Sequence, residues 1–144
     1  SNQCIPVETK THTYTNTSGE KLSGHWKIPF GEISYRSSID EHLALDKPMR
    51  LHFAAPHVHP FATSIGIFDK TTGKMLFNCP IKNHKKNIGL DKISVFSSES
   101  GIWLYPNHKY EMVITCNNTS KEEQDMMGSM FLFFYDQELD EKIN

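Results

Sequence analysis

Two histidines separated by one residue, His57 and His59, are the side chains best suited to chemistry in this sequence. In an extended strand the side chains of residues i and i+2 point to the same face, so two imidazoles would stand side by side. Imidazole nitrogen is a common ligand of transition metals. Pro56 and Pro60 flank the pair and lack a backbone N–H, which favours a strand end or a sheet edge. The pair therefore predicts half of a metal site.

A thioether could supply the other half. Three of the six methionines, Met126, Met127 and Met130, lie close together before an aromatic segment near the C-terminus. Cuprous copper accepts a thioether readily, whereas zinc seldom does. Methionines beside an aromatic strand are more often flexible core residues than ligands, and a His-x-His pair also arises by chance. Copper, zinc and simple packing therefore all remain open on the residues alone.

Three further histidines, His25, His52 and His108, are ambiguous in the same way. His52 lies in the alternating segment Met49 to Ala54 that leads into the histidine pair, and we interpret it as a structural residue next to the site.

Short alternating segments separated by turn signals dominate the chain, and no long stretch has the period of a helix. About nine short strands are expected, which is typical of an all-β fold, an antiparallel, jelly-roll-like β-sandwich. We predict a single domain over residues 1–144, with residues 1–20 and 137–144 peripheral. The individual expectations are an edge strand within residues 8–17, a hairpin closed by residues 69–73, separate strands at residues 93–96 and 101–105, and a last strand at residues 131–135 that is covered on both faces.

Composition excludes some functions. The formal net charge is -2, and Lys and Arg are scattered among Asp and Glu, so the basic stripe that nucleic-acid binding needs is missing. No apolar run approaches the roughly 20 residues of a membrane span. The three cysteines, Cys4, Cys79 and Cys116, form neither a dense disulfide framework nor a CxxC motif, although one bridge is compatible with them.

Several motifs between about residue 22 and residue 136 carry a resemblance to a known family. They are Gly24-His25-Trp26 with Pro29, His57 to Ala62, Thr71-Thr72-Gly73, Pro106 to Tyr110, Cys116 to Thr119 and Asp125-Met126-Met127. With these motifs the chain resembles the C-terminal copper domain of the peptidylglycine α-hydroxylating and dopamine β-monooxygenases. It is also similar to a group of small bacterial proteins with a His-x-His-Pro-Phe-Ala motif.

In the monooxygenases that domain is a β-sandwich whose copper is bound by a His-x-His pair and one methionine. The resemblance implies that His57, His59 and Met127 are the metal ligands here, in preference to Met126 or Met130. Water, dioxygen or a small molecule would take the remaining coordination positions.

The sequence also departs from that family. The family has a second copper on a separate domain bearing three histidines, and nothing before His57 offers the length or spacing for it. The family's cysteine after the ligand methionine is Gly128 here, so its bridge to the position of Cys116 cannot form. Cys116 is then either free or paired with Cys79 or Cys4.

We therefore expect a copper-binding protein with one Cu(I)/Cu(II) ion, secreted or periplasmic after removal of a signal peptide. Its role would be copper handling, redox chemistry or small-ligand binding, and its expected partners are the ion and a redox or copper-delivery protein. One alternative is a copper-dependent oxygenase that takes electrons from outside. Another is a structural or interaction module in which the histidines only pack.

Overall fold

The computed structural model describes the backbone of residues 2–7, 13–15, 21–23 and 25–135, and the side chains of residues 25–134. Over these ranges the chain forms one short helix, α1 (Asp40–Leu43), and thirteen strands, which confirms the predicted all-β class with more strands than expected. The strands are β1 (Asn2–Val7), β2 (Thr13–Thr15), β3 (Lys21–Ser23), β4 (Trp26–Ile28), β5 (Gly31–Ser38), β6 (Met49–Val58), β7 (Ala62–Asp69), β8 (Lys74–Asn83), β9 (Leu90–Ile93), β10 (Phe96–Leu104), β11 (Tyr110–Asn118), β12 (Gln124–Met126) and β13 (Gly128–Tyr135).

The strands form three antiparallel sheets. A four-stranded sheet has the order β1-β13-β6-β10, a seven-stranded sheet has the order β3-β2-β5-β11-β7-β8-β9, and β12 pairs with β4 alone. Buried side chains from both larger sheets, such as Leu51 and Leu132 from one and Ile65 and Ile114 from the other, belong to one hydrophobic cluster. The arrangement is that of a β-sandwich, in which two sheets share a core.

β11 shows why the sequence folds this way. It lies between β5 and β7, and its alternate residues Tyr110, Met112, Ile114 and Cys116 are all buried, as the alternation predicted. Burial raises the pKa of the Cys116 thiol to about 12. Cys116 and Cys79 are both free and buried, which settles the open question of a bridge between them. The side chain of Cys4 lies outside the described residues.

Two turns agree with the sequence and one does not. The predicted hairpin joins β7 to β8, with Gly73 at a φ of 74° in its turn. The Ser-rich stretch predicted to separate two strands lies inside β10 instead. There the register jumps from Ser97 opposite Phe53 to Ile102 opposite Leu51. A bulge of this kind absorbs extra residues without ending the strand.

Two strand positions also differ from expectation. β2 lies second from the edge of its sheet, because β3 pairs with its outer side; the rest of the segment predicted as an edge strand lies outside the described residues. The terminal strand β13 is not covered on both faces, since Phe134 is fully buried while Phe131 is 42% exposed. The apolar run indicated burial on both faces, but the face of β13 that carries Phe131 and Phe133 is only partly covered.

No helix in the described part of the chain is long and apolar enough to cross a membrane.

Candidate metal centre

The histidine pair lies at the end of β6. His57 is the next-to-last residue of the strand and is exposed, and His59 follows the strand and is partly buried. β10 pairs with β6 only as far as Ala54, so beyond that point β13 is the one partner of β6 among the described strands. Pro56 lies in this stretch, opposite Met130 of β13 and without a β10 partner, so β6 is an edge on one side there, where proline is tolerated. The prolines thus predicted the local environment correctly.

The turn after the pair is held by side-chain hydrogen bonds. Phe61 adopts a φ of 80°, a left-handed conformation that a bulky residue takes only under constraint. Its backbone N–H donates to Asn83 Oδ1 at 2.7 Å, and Asn83 Nδ2 donates to the carbonyl of Ala62 at 2.8 Å. The backbone N–H of Asn117 also donates to the carbonyl of Phe61 at 2.8 Å. These bonds fix the direction in which the chain leaves His59.

Met127 lies beside the pair. It joins β12 to β13, and β13 pairs with β6 so that Gly128 is opposite Val58 and Ser129 is opposite His57. Extending this register by one residue places Met127 opposite His59. Met126 and Met130 are buried in the core, whereas Met127 is only partly buried. Of the three methionines, Met127 is therefore the one that is not buried in the core.

The structure brings in one histidine that the sequence left ambiguous. His25 immediately precedes β4, and its ring centroid lies 5.3 Å from that of His59 with the ring planes tilted by 45°. His25 is exposed. The signal for it was the Gly-His-Trp segment, but the pairing of β4 with β12 joins distant parts of the chain and could not be deduced from sequence.

The local electrostatics favour a neutral imidazole at His59. Burial lowers the pKa of His59, and the nearby imidazoles of His25 and His57 lower it further. The Asp125 carboxylate and a hydrogen bond to the Asp125 backbone oppose this, but the net pKa is lowered. A histidine must be neutral to bind a metal ion, so this environment is compatible with a ligand role.

A network around Asn118 holds β4 and β12 in place. Asn118 is fully buried, and its Nδ2 donates to the carbonyls of Ile28 and Glu122 at 3.2 and 2.8 Å. Its Oδ1 accepts hydrogen bonds from the backbone N–H and hydroxyl of Ser120. Lys27 and Asp125, which are opposite each other in this two-stranded sheet, add an exposed ion pair of 3.1 Å. The strands next to His25 and Met127, β4 and β12, are thus tied to each other and to β11.

The other histidines singled out in the sequence have structural contacts. His52 hydrogen-bonds through Nδ1 to the backbone oxygen of Ser98 in the β10 bulge, at 2.8 Å. His108 hydrogen-bonds through Nδ1 to Asp69 Oδ2, also at 2.8 Å. Asp69 lies at the far end of β7 from the turn after His59, so His108 is not part of the candidate site.

The donor set is suited to copper, although its atoms are not preassembled. Among the described residues, no three side chains of His, Cys, Asp or Glu are already arranged around one metal position. His25 and His57 are exposed, and exposed side chains change rotamer within nanoseconds. Imidazoles together with a thioether fit copper better than zinc, calcium or magnesium.

No protein-family model matches the chain, and comparisons with curated proteins and with solved structures find no match.

Proposed function

We propose that this protein binds one copper ion through His57, His59 and Met127. The observation that supports the proposal is the register of β13 on β6, which places Met127 beside His59 while the other two methionines of the segment are buried. The two histidines lie at the end of β6, and the methionine directly precedes β13, which pairs with β6. Three donors of the right type therefore come from neighbouring, paired parts of the backbone. The resemblance to the monooxygenase copper domain supports the same ligand set.

Each donor has a distinct role in this proposal. The two imidazoles bind copper in either oxidation state, and the thioether favours cuprous copper. Bound copper would supply redox chemistry or a coordination position for a small ligand. The protein residues hold the ion at a solvent-accessible place, because His57 is exposed. We propose a role in copper handling outside the cytoplasm, in a secreted or periplasmic setting, with a copper-delivery or redox protein as partner.

The first test is metal stoichiometry. The purified wild-type protein is expected to bind about one equivalent of copper and to melt at a higher temperature with copper, because a ligand that binds only the folded state stabilises it. The variant His57→Ala/His59→Ala is expected to lose this copper. If the double variant retains one equivalent, the proposed site is wrong. If copper changes neither the melting temperature nor the metal content of the wild type, the histidines serve packing alone.

A matched pair of methionine variants tests the third ligand. Met127→Leu removes the thioether at the site, whereas Met130→Leu removes one from the core at similar volume. We expect Met127→Leu to weaken cuprous copper binding about tenfold or more and Met130→Leu to leave it unchanged. X-ray absorption of the reduced protein should show a sulfur neighbour that is absent only in Met127→Leu. The same sulfur signal in both variants would remove Met127 from the ligand set.

A copper-dependent oxygenase is the second candidate. The exposed position of His57 favours it, since copper there would be open to solvent and to a substrate. Such an enzyme needs an external electron donor. Oxygen consumption by the copper-loaded protein with ascorbate, lost in Met127→Leu, would support this candidate, and no consumption with any reductant would exclude it.

A further inference from the structure

We infer that His25 is a third imidazole ligand of the copper centre, and that it allows the centre to retain cupric as well as cuprous copper. This inference rests on the proposed function, because it adds a ligand to the same site. Neither the His-x-His motif nor the ligand set implied by the resemblance includes this residue.

The first observation is the backbone arrangement around Met127. The segment from residue 124 to residue 135 pairs with two different strands in succession. Its first part pairs with β4, with Met126 opposite Trp26, and its second part pairs with β6, with Gly128 opposite Val58. Met127 is the residue at the change of partner. Extending each register by one residue puts His25 opposite Met127 in the first pairing and His59 opposite Met127 in the second.

The second observation is the distance between the imidazoles. The ring centroids of His25 and His59 are 5.3 Å apart. Two imidazoles that bind one ion through nitrogens at about 2.0–2.1 Å place their centroids about 5 Å apart at a tetrahedral angle. The separation of His25 and His59 therefore already matches that of two ligands of a single ion. Rotation of the exposed side chain of His57, on the same strand end as His59, would add the third nitrogen.

The third observation is that β4, which begins directly after His25, is firmly anchored in the core. Trp26 is buried and packs edge-on against Tyr35, with ring centroids 5.2 Å apart. Ile28 is fully buried, and its carbonyl accepts the hydrogen bond from Asn118. Because His25 directly precedes this buried and hydrogen-bonded strand, its backbone has little freedom to move away from His59.

A third imidazole has a definite chemical consequence. Cupric copper prefers nitrogen and oxygen ligands in a tetragonal arrangement, whereas a thioether favours cuprous copper. Two imidazoles and a thioether would therefore retain mainly the cuprous ion. Three imidazoles and a thioether provide enough nitrogen for the cupric ion as well, so loss of His25 should affect the cupric form more than the cuprous form.

The test compares His25→Ala with the control His84→Ala, which removes another exposed histidine, from the loop between β8 and β9. Affinities for a copper(II) salt are measured against a competing chelator, and affinities for copper(I) against a cuprous-specific chelator. We expect His25→Ala to lower the cupric affinity about tenfold or more, with a smaller loss of cuprous affinity, and His84→Ala to change neither. Electron paramagnetic resonance should show one coordinated nitrogen fewer in His25→Ala than in the wild type.

His57→Ala/His59→Ala separates the inference from the proposed function. If this double variant loses copper while His25→Ala keeps the wild-type cupric affinity and nitrogen count, His25 is not a ligand and the His57, His59, Met127 centre stands. If the double variant keeps its copper, the proposed centre itself fails. Circular dichroism of His25→Ala should match the wild type, because His25 is exposed; a loss of both affinities together with loss of the fold would also contradict the inference.

Discussion

Asn83 controls the conformation of the turn that follows the histidine pair. Its Oδ1 accepts a hydrogen bond from the N–H of Phe61 and its Nδ2 donates one to the carbonyl of Ala62, so both polar atoms of the side chain bind this turn. Phe61 has a positive φ, which costs of order 1–3 kcal/mol for a non-glycine residue and persists only when its surroundings enforce it. Asn83 supplies a large part of that enforcement.

We predict that Asn83→Ala destabilises the fold by about 2 kcal/mol, because it leaves the N–H of the buried Phe61 without its acceptor. Relaxation of the turn should also displace His59 and weaken copper binding by roughly 10-fold to 100-fold, as loss of a residue that orients a ligand does. Urea unfolding and copper titration measure the two effects. Asn78→Ala, an exposed asparagine on the same strand, is the control. Wild-type copper affinity in Asn83→Ala would show that the turn does not position His59.

The sequence indicated which side chains could bind copper, but not how the fold arranges them. His57 and His59 follow from a period of two, and the thioether donor from the chemistry of copper. The choice of Met127 came from a resemblance, and the burial of Met126 and Met130 gives it an independent physical basis. His25 could not be found in this way, because its place depends on the pairing of β4 with β12.

At the level of elements, the candidate site depends on two consecutive strands, β12 and β13, that pair with different partners. The chain through β12 and β13 pairs first with β4 and then with β6, and Met127 lies where the partner changes. β4 has only three residues, and among the described strands it pairs with β12 alone, so ladder hydrogen bonds contribute little to its position. The side chain of Asn118 adds hydrogen bonds that the short ladder cannot provide, because it links β4 to the loop before β12.

We predict that Asn118→Ala loosens β4 more than any other element. The variant removes the side-chain hydrogen bond to the carbonyl of Ile28 and one of the two to the carbonyl of Glu122, which also accepts from the Ser120 hydroxyl, and this should cost about 2 kcal/mol. Hydrogen exchange of the β4 amides should become faster than exchange in β11, because the loss is local. Asn117→Ala is a matched control, since Asn117 is adjacent but only partly buried. A uniform increase in exchange across all strands would contradict the local role of Asn118.

The sheets show which parts of the fold could be predicted. β11 and the hairpin of β7 and β8 follow from alternation and a glycine turn, which are local properties of the sequence. The bulge in β10 and the exposed face of β13 could not be predicted, because both depend on the neighbouring strands and on which face meets the core. Alternation identifies a strand, but an apolar run does not tell how many of its faces are covered.

At the scale of the whole molecule, the candidate site and a group of stabilising hydrogen bonds around Asp69 lie at opposite ends of β7. The turn after His59 leads into one end of this strand, and Asp69 lies at the other end, roughly 23 Å away for seven residues of strand. Asp69 is buried and accepts hydrogen bonds from His108 and from the backbone N–H groups of Thr71 and Thr72. These contacts join the β7–β8 hairpin to the turn before β11.

This end of the molecule should determine part of its resistance to acid. Burial tends to raise the pKa of Asp69, but the hydrogen bonds from His108, Thr72 and Thr71 and the charge of His108 outweigh it, so the net pKa is lowered. A carboxyl whose pKa is lower in the folded state stabilises the protein fully above its unfolded pKa of about 3.9. The stabilisation is then lost as the pH falls through the lower, folded pKa.

We predict that Asp69→Asn lowers the free energy of unfolding by about 2 kcal/mol at pH 7, since hydrogen bonds to a charged group are lost. The difference from wild type should persist down to about pH 5 and shrink below about pH 4, as protonation removes the same charge from the wild type. Urea unfolding from pH 7 to pH 3 measures this, with Asp46→Asn, at an exposed loop position, as the control. Copper affinity at pH 7 should be unchanged in Asp69→Asn, because Asp69 lies at the far end of β7. A stability difference that is equal at pH 7 and pH 3 would mean that the carboxylate charge is not its source, and a loss of copper would mean that the two ends of β7 are coupled.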